Sequence, residues 1–396
     1  MLLQSDESAV AQDTREKKNR NRKREIRIMY KKWMISAALC AATVLGAQAD
    51  YELVWEDDFT GTTLNESQHW NVEVNGNGGG NNELQYYRRE NVSVGTEPTT
   101  GASCLILTAR KESFGGKPAT SGRINSMGKV YAKYGKIEAR IKFPYTANGL
   151  WPAFWMMGND YSSVGWPRCG EIDIIELGNA AGIAGGTQDR YLIGACHWGT
   201  SPVNHPNYGL GSVHSESVQG DFHLFTLIWN ATSVSMYVDL DKNPNAQPYY
   251  VMNIYDMSNE NSVGYYFHKP FFILFNLAVG GTFPNIYDIN AVTALASGEA
   301  KMYVDYVRIY QKGDAGEEFY GPATGGVEGI GNEQTMKVYC NGTEAGVAGA
   351  TEGIELYNMQ GALVRRSSEP RIYVGDVPGG VYVLRCGSFV KKIVLK

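Results

Sequence analysis

The sequence contains no apolar run long enough to be expected to cross a membrane as a helix. Its longest candidate, Trp33–Leu45, follows the positively charged Lys31 and Lys32 and precedes Ala47-Gln48-Ala49, a small-x-small cleavage motif. We therefore predict a cleaved signal peptide at residues 29–49. The mature protein is expected to be secreted or held at the cell surface, with no membrane span.

Positive charge is scarce outside the N-terminal segment. Residues 1–28 are basic, and we interpret them as a disordered extension or as the result of a start codon assigned upstream of Met29. A basic arm for nucleic acid or a membrane surface is the alternative. Residues 1–49 hold ten of the 36 Lys/Arg and five of the 41 Asp/Glu, so the remainder carries 26 basic and 36 acidic residues, a net charge of −10. This balance argues against a nucleic-acid partner and favours a neutral substrate.

Helical periodicity is also scarce, whereas short strands with Gly, Asn and Pro between them are frequent. "CLILTAR", "FTLIWN" and "FFILFNLAVGG" are examples, and strand after strand without helices is typical of a β-sandwich or barrel. We predict an all-β catalytic domain over residues 50–311, a Gly-rich and acidic linker over 312–335, and a second, small β domain over 336–396.

Three carboxylates interrupt the apolar stretch "GEIDIIELG" at residues 170–178. In a strand Glu171 and Asp173 share one face, but simple alternation would turn Glu176 into the core. An extra residue at the adjacent Ile174 and Ile175 would restore the parity, so the sequence predicts a β-bulge with all three acids on one face. A retaining glycosidase uses two carboxylates about 5–5.5 Å apart, one as nucleophile and one as acid/base. A solvated acidic face is the alternative.

Aromatic residues lie just upstream of the acids. Trp151 and Trp155 are four apart in "GLWPAFWMMG" and therefore share a strand face, where they can serve as platforms for sugar rings. Burial of both in the core is the alternative, because Trp is highly buried on average. Four polar residues, each with an ordinary structural alternative, complete the predicted substrate-binding set: Asn82, Glu83, Arg123 and His197.

Taken together, these motifs resemble glycoside hydrolase family 16, and most closely its laminarinase-type β-1,3-glucanases. The resemblance spans roughly residues 51–311 and rests on these stretches: "NNELQYY", "YGKIEARIKFP", "GLWPAFWMMG", "GEIDIIE", "FHLFTLIWN", "FNLAVGGTFP" and "VDYVRIYQ". It implies a concanavalin-A-like β-jelly-roll sandwich. It also implies residue roles: Glu171 as nucleophile, Asp173 as assisting acid, Glu176 as acid/base, and Trp151, Trp155, His197 and Arg123 along the glucose subsites.

The same resemblance implies a structural calcium near the chain ends, with Asp305 as a ligand, but no cofactor for catalysis. The C-terminal stretches "LYNMQGALV", "VPGGVYVLR" and "KKIVLK" resemble the sorting domain of the type IX secretion route of Bacteroidetes. A generic β appendage or a sugar-binding module is the alternative for this tail.

These features predict a monomeric, secreted, retaining endo-glucanase that acts on β-1,3-glucan or mixed-linkage β-1,3/1,4-glucan. An agar-type galactan hydrolase of the same family is one alternative, because the three acids alone do not select the sugar. A non-catalytic glucan-binding protein is the other, although the presence of all three carboxylates argues against it.

Cysteines are few and form no CxxC or Cys/His metal spacing. Strand alternation places Cys169 on the face of the acids and Cys196 in the core. We expect at most one disulfide, Cys340–Cys386, with Cys104, Cys169 and Cys196 free in the catalytic domain. Cys169, nearest to solvent in this interpretation, is expected to react first with a thiol reagent.

Overall fold

A computed structural model describes residues 51–203, 205–322, 337–340, 343–348, 350, 352–358, 362–387 and 389–395. The chain divides into two compact units, with the boundary after Pro322. The predicted basic extension and signal peptide lie outside the described residues. Within these ranges no helix is both long and apolar enough to span a membrane.

The first unit consists of two large antiparallel-rich sheets, one of ten and one of nine strands. The ten-stranded sheet contains β1 (Glu52–Asp57), β3 (Gln85–Tyr87), β4 (Val92–Thr96), β5 (Ser103–Arg110), β6 (Ala119–Ser121), β9 (Gly135–Lys142), β14 (Phe222–Trp229), β15 (Ser233–Val238), β16 (Tyr250–Asn253) and β18 (Glu299–Gln311). The nine-stranded sheet contains β2 (Asn71–Val72), β7 (Arg123–Asn125), β8 (Tyr131–Lys133), β10 (Leu150–Gly158), β11 (Glu171–Glu176), β12 (Tyr191–His197), β13 (Asn207–Val213), β17 (Phe271–Val279) and β19 (Glu318–Tyr320).

Among the described residues of this unit, helical structure is limited to short connections. They are α1 (Tyr161–Val164), α2 (Ala180–Ala184) and the 3₁₀ turns Gly78–Gly80, Arg89–Asn91, Val263–Tyr266, Ile289–Ala291 and Thr293–Leu295. The predicted all-β jelly-roll sandwich is thus confirmed.

The hydrophobic core lies between the two sheets because strand alternation turns apolar residues inward from both. β18 contributes Val307 and Ile309, and β11 contributes Ile172, Ile174 and Ile175, all without exposed surface. Each such side chain stabilises the fold by about 1.5–3 kcal/mol. The opposite face of the nine-stranded sheet, which we call the site face, is left to carry polar and aromatic residues.

The predicted linker is shorter than its composition indicates. β19 pairs with β8 in the nine-stranded sheet, and Phe319 packs against the core. Glu317 accepts backbone N–H groups from Lys312, Gly313 and Asp314, so the acidic stretch forms a turn that leads into a strand. The first unit therefore extends to residue 322, and the rest of the predicted linker lies outside the described residues.

The second unit contains two small sheets with their own core. The three-stranded sheet has β20 (Lys337–Cys340), β21 (Glu344–Ala348) and β24 (Arg371–Tyr373), and the four-stranded sheet has β22 (Ile354–Asn358), β23 (Leu363–Ser367), β25 (Gly380–Cys386) and β26 (Phe389–Leu395). Leu356 and Leu384 are fully buried at its centre. A second, small β domain is therefore present.

The cysteine predictions need two corrections. Cys386 is a free thiol that donates a weak hydrogen bond to the Glu352 carbonyl, so the predicted bond to Cys340 does not form. The side chain of Cys340 itself lies outside the described residues. Cys169 packs on the site face as predicted but has no exposed surface, because it is covered in a cluster with Met157. Cys104 and Cys196 are free and buried, as predicted.

Candidate active site

The three acids lie on β11, which contains the predicted bulge. Phe154 of β10 pairs with Ile175, but the next residue, Trp155, pairs with Asp173, so Ile174 is the extra residue. The register against β12 shifts at the same place. Because the bulge restores parity, the carboxylates of Glu171, Asp173 and Glu176 share the site face while the isoleucines remain in the core.

Glu171 begins the strand and is half-buried. Burial raises its pKa to about 7, while a hydrogen bond from Trp166 and the positive charge of Arg123 oppose that rise. His197 is its direct partner across β12. Arg123 and Trp166 thus both favour the ionised form of Glu171.

Asp173 lies between the two glutamates and is only 4% exposed. Burial, followed by the negative charges of Glu171 and Glu176, raises its pKa well above the usual range. His197 Nε2 lies 3.4 Å from Asp173 Oδ2. Burial, and then the charge of His205, lower the pKa of His197 to about 4, so this imidazole is neutral near pH 7. Burial and both neighbouring charges therefore favour the protonated form of Asp173.

Glu176 ends the strand at 9% exposure. Trp151 Nε1 donates a hydrogen bond of 2.8 Å to Glu176 Oε1, and the Trp151 ring stacks on Phe283 at 4.6 Å. Burial raises the pKa of Glu176 to about 8; the Trp151 hydrogen bond opposes this and the charge of Glu171 adds to it. On a rise in pH, Glu176 therefore keeps its proton beyond the point where Glu171 ionises.

Trp155 and Arg123 form the next part of the site face. The Arg123 guanidinium lies 4.9 Å from the Trp155 ring centroid and pairs with Glu73 at 2.9 Å. Trp155 Nε1 donates to Asn276 Oδ1 at 2.7 Å. Both tryptophans are half-buried on the face of the acids, so the alternative of core burial is excluded.

The predicted loop residues differ in placement. Asn82 is exposed, with a positive φ of 56°. Glu83 is 4% exposed, and its carboxylate accepts hydrogen bonds from Gln85 at 2.5 Å and Tyr87 at 3.2 Å. Glu83 thus has the contacts of a residue that supports the loop, and its part in sugar binding stays a prediction.

Asp305 does not fit the calcium-ligand role. Arg140 Nη1 donates to Asp305 Oδ2 at 2.5 Å, so a guanidinium already occupies this carboxylate and would repel a divalent cation. Across the described part of the chain, the one group of three clustered metal-binding side chains is Glu171, Asp173 and His197, on the site face.

Sequence reasoning missed several residues of the site. Trp166, Glu73, Asn276 and Phe283 contact predicted members, yet each lies on a different strand or loop. Asn276 alone carried a signal, as the single polar residue inside the apolar run "FFILFNLAV".

The chain is similar in sequence and structure to proteins of a known family. The model of Glycosyl hydrolases family 16 matches residues 85–247. A beta-glucanase of Rhodothermus marinus is 30% identical over 295 residues, which is 72% of this chain and 96% of that protein. The chain belongs to glycosyl hydrolase family 16. A GH16 structure from the Bacteroides ovatus mixed linkage glucan PUL, in complex with a G4G4G3G product, is 42% identical with a TM-score of 0.57, covering 64% of this chain and 99% of that one.

Another relative is longer than the present chain. The clotting factor G alpha subunit of Tachypleus tridentatus is 36% identical over 263 residues, 66% of this chain but 34% of that protein, so the chain spans about a third of its length. The family, together with the three carboxylates on one strand face, makes this protein a glycoside hydrolase.

Proposed function

We propose that the protein is a secreted, retaining endo-glucanase that cleaves internal bonds of β-1,3-glucan or mixed-linkage β-1,3/1,4-glucan. The observation that supports this most is the unequal environment of the two glutamates on the bulged strand. Trp166 and Arg123 favour an ionised Glu171, whereas burial keeps Glu176 protonated to higher pH. A nucleophile and a general acid side by side are the requirement of retention.

In the first step the Glu171 carboxylate attacks the anomeric carbon while Glu176 gives its proton to the departing glycosidic oxygen. A covalent glycosyl-enzyme forms, and the part of the chain that carries the new reducing end leaves. In the second step Glu176 takes a proton from water as the water oxygen attacks the same carbon and Glu171 departs. Asp173 keeps its proton between them throughout, and Trp155 carries a sugar ring.

The substrate class rests on similarity. The Bacteroides ovatus structure contains a mixed-linkage product, and the Rhodothermus marinus relative is a beta-glucanase. An agar-type galactan hydrolase and a non-catalytic glucan-binding protein are the alternatives. The three functions are compared by measuring the release of reducing ends from laminarin, barley β-glucan and agarose. Hydrolysis of agarose alone, or glucan binding without any release of reducing ends, contradicts the proposed endo-glucanase.

Retention is tested separately by following the anomeric protons of the first product by NMR. The β-anomer is expected before mutarotation, and initial α-product contradicts the nucleophilic role of Glu171. Glu171→Gln is expected to bind laminarin or barley β-glucan without hydrolysing it. Because no cofactor is proposed, wild-type activity is expected to survive EDTA.

Export and sorting are also proposed. The residues 29–49 signal is expected to be removed, so Edman sequencing of the exported protein begins at Asp50. The C-terminal unit is proposed to act as a type IX sorting domain, and its deletion is expected to leave the enzyme in the periplasm of a Bacteroidetes host. Unchanged export without it contradicts this role.

A further inference from the structure

The bulge in β11 has a partner in the opposite sheet. Ile174 is the one residue of this strand that is absent from the register of both neighbouring strands. The hydroxyl of Tyr249 donates a hydrogen bond to the Ile174 carbonyl. The group that the bulge displaces from regular pairing is therefore satisfied by a side chain from outside its own sheet.

The two sheets approach closely at this point. Tyr249 directly precedes β16, and its backbone is fixed by a 2.9 Å hydrogen bond from its N–H to the Met236 carbonyl on β15. On the other side of the bulge, Gly194 lies in β12 between the partners of Asp173 and Glu176, and a Cβ there would come within 2.7 Å of Met236 Sδ. The ring of Tyr249, packed against the core, thus reaches the bulge from a rigid support.

The position of the bulge decides where Glu176 points. If the extra residue moved or disappeared, regular alternation would turn Glu176 into the core. Without the Tyr249 hydroxyl, the Ile174 carbonyl loses its hydrogen-bond partner. The bulged register is then destabilised relative to a regular strand, which does not depend on this hydrogen bond.

We propose that Tyr249 is a positioning residue for Glu176, because its hydroxyl fixes the Ile174 carbonyl and with it the bulge that presents Glu176 to the substrate. This inference rests on the acid/base role proposed for Glu176. Tyr249 touches neither substrate nor carboxylate; it acts through the backbone of β11.

Tyr249→Phe tests the inference, with Tyr250→Phe as the matched control. Tyr250 is the adjacent tyrosine, and its hydroxyl donates to the Tyr208 carbonyl at 2.9 Å on the edge strand β13, not to the backbone of β11. We expect Tyr249→Phe to lower kcat about tenfold with KM within about twofold, since small misplacement of a reacting group is costly. Its basic pH limb is expected to move to higher pH as Glu176 turns inward.

Tyr250→Phe is expected to lower the melting temperature by about as much as Tyr249→Phe does. It should nevertheless leave kcat and the pH profile unchanged. Equal losses of kcat in the two variants, or an unshifted profile for Tyr249→Phe, overturn the inference, because both would indicate a general loss of packing.

A second measurement separates this inference from the proposed function. In Glu176→Ala, azide is expected to restore turnover of an aryl oligoglucoside whose leaving group needs no acid. If no rescue occurs, the role of Glu176 is wrong and the inference falls with it. If rescue occurs, adding Tyr249→Phe is expected to change the rescued rate less than twofold, since Glu176 is already absent. A further tenfold loss leaves the proposed function intact and overturns only the role of Tyr249.

Discussion

Trp151 and Glu176 lie on neighbouring strands, and the indole N–H of the first donates to the carboxylate of the second at 2.8 Å. The same ring stacks on Phe283 with an interplanar angle of 9°. Trp151 was predicted as a sugar platform, yet its polar edge also orients an acid and favours the ionised form of that acid. The two functions can be separated, because they use different parts of the side chain.

Trp151→Phe removes the donor and keeps an aromatic ring over Phe283. Loss of the hydrogen bond is expected to raise the pKa of Glu176 further, since the bond holds it down. The basic limb of the kcat/KM profile should then move to higher pH, with a rate loss of roughly tenfold. The control is Trp155→Phe, whose indole donates to Asn276, not to an acid. It should raise KM on long glucans without moving the limb, and a shift in both variants would argue against a specific effect on Glu176.

Asp173→Asn tests the central acid. The pKa of Asp173 is raised by burial and by both glutamates, so the amide mimics the protonated form that these effects favour. We expect a smaller loss of kcat than for Glu171→Gln, together with a shifted pH optimum, because the proton shared with the neighbours is gone. Parallel pH–rate profiles of the two variants and wild type provide the measurement. A profile identical to wild type would indicate that Asp173 has no influence on the glutamates.

Much of this site follows from local sequence. The bulge was predictable because a parity error between Glu171 and Glu176, with Ile174 and Ile175 side by side, has one simple solution. The contacts of Tyr249 with Ile174 were not, since they depend on how the opposite sheet is placed.

The surroundings of Asp305 and Cys169 were not predictable for the same reason. Pairing of Asp305 with Arg140 depends on the register of β18 against β9, which composition does not give. The cover over Cys169 comes in part from residues distant in sequence, including Phe272 and Leu274. In addition, Gly170 has a φ of 74°, so regular strand alternation does not extend back from Glu171 to Cys169, although Cys169 still packs on the site face.

Stability should depend on pH through Glu176. Its folded pKa is raised to about 8 from 4.5, so between those values the unfolded chain is ionised while the folded one keeps the proton. Ionisation therefore costs folding stability as pH rises through this window, and the cost is absent below the unfolded pKa. Glu176→Gln should raise the melting temperature near pH 8 by several degrees, at roughly 2–4 °C per kcal/mol, and leave it unchanged near pH 4. Calorimetry at both pH values checks this, and stabilisation at the lower pH alone would reverse the assigned direction.

The buried thiols give the last prediction. Cys169 has no exposed surface, and burial, with the charge of Glu171 adding to it, raises its pKa to about 12. Cys104 is equally buried and its pKa is also raised to about 12, mainly by burial. A thiol that is both covered and protonated reacts only when the fold opens. Iodoacetamide at about pH 8 is therefore expected to modify Cys104, Cys169 and Cys196 at one common slow rate that follows the unfolding equilibrium. Bound glucan should slow all three equally, because it stabilises the folded state.

Mass spectrometry of tryptic peptides over time provides the measurement, with the guanidinium-unfolded protein as the fully reactive control. Selective labelling of Cys169 in the native protein would instead indicate that its cover on the site face opens independently of the sandwich.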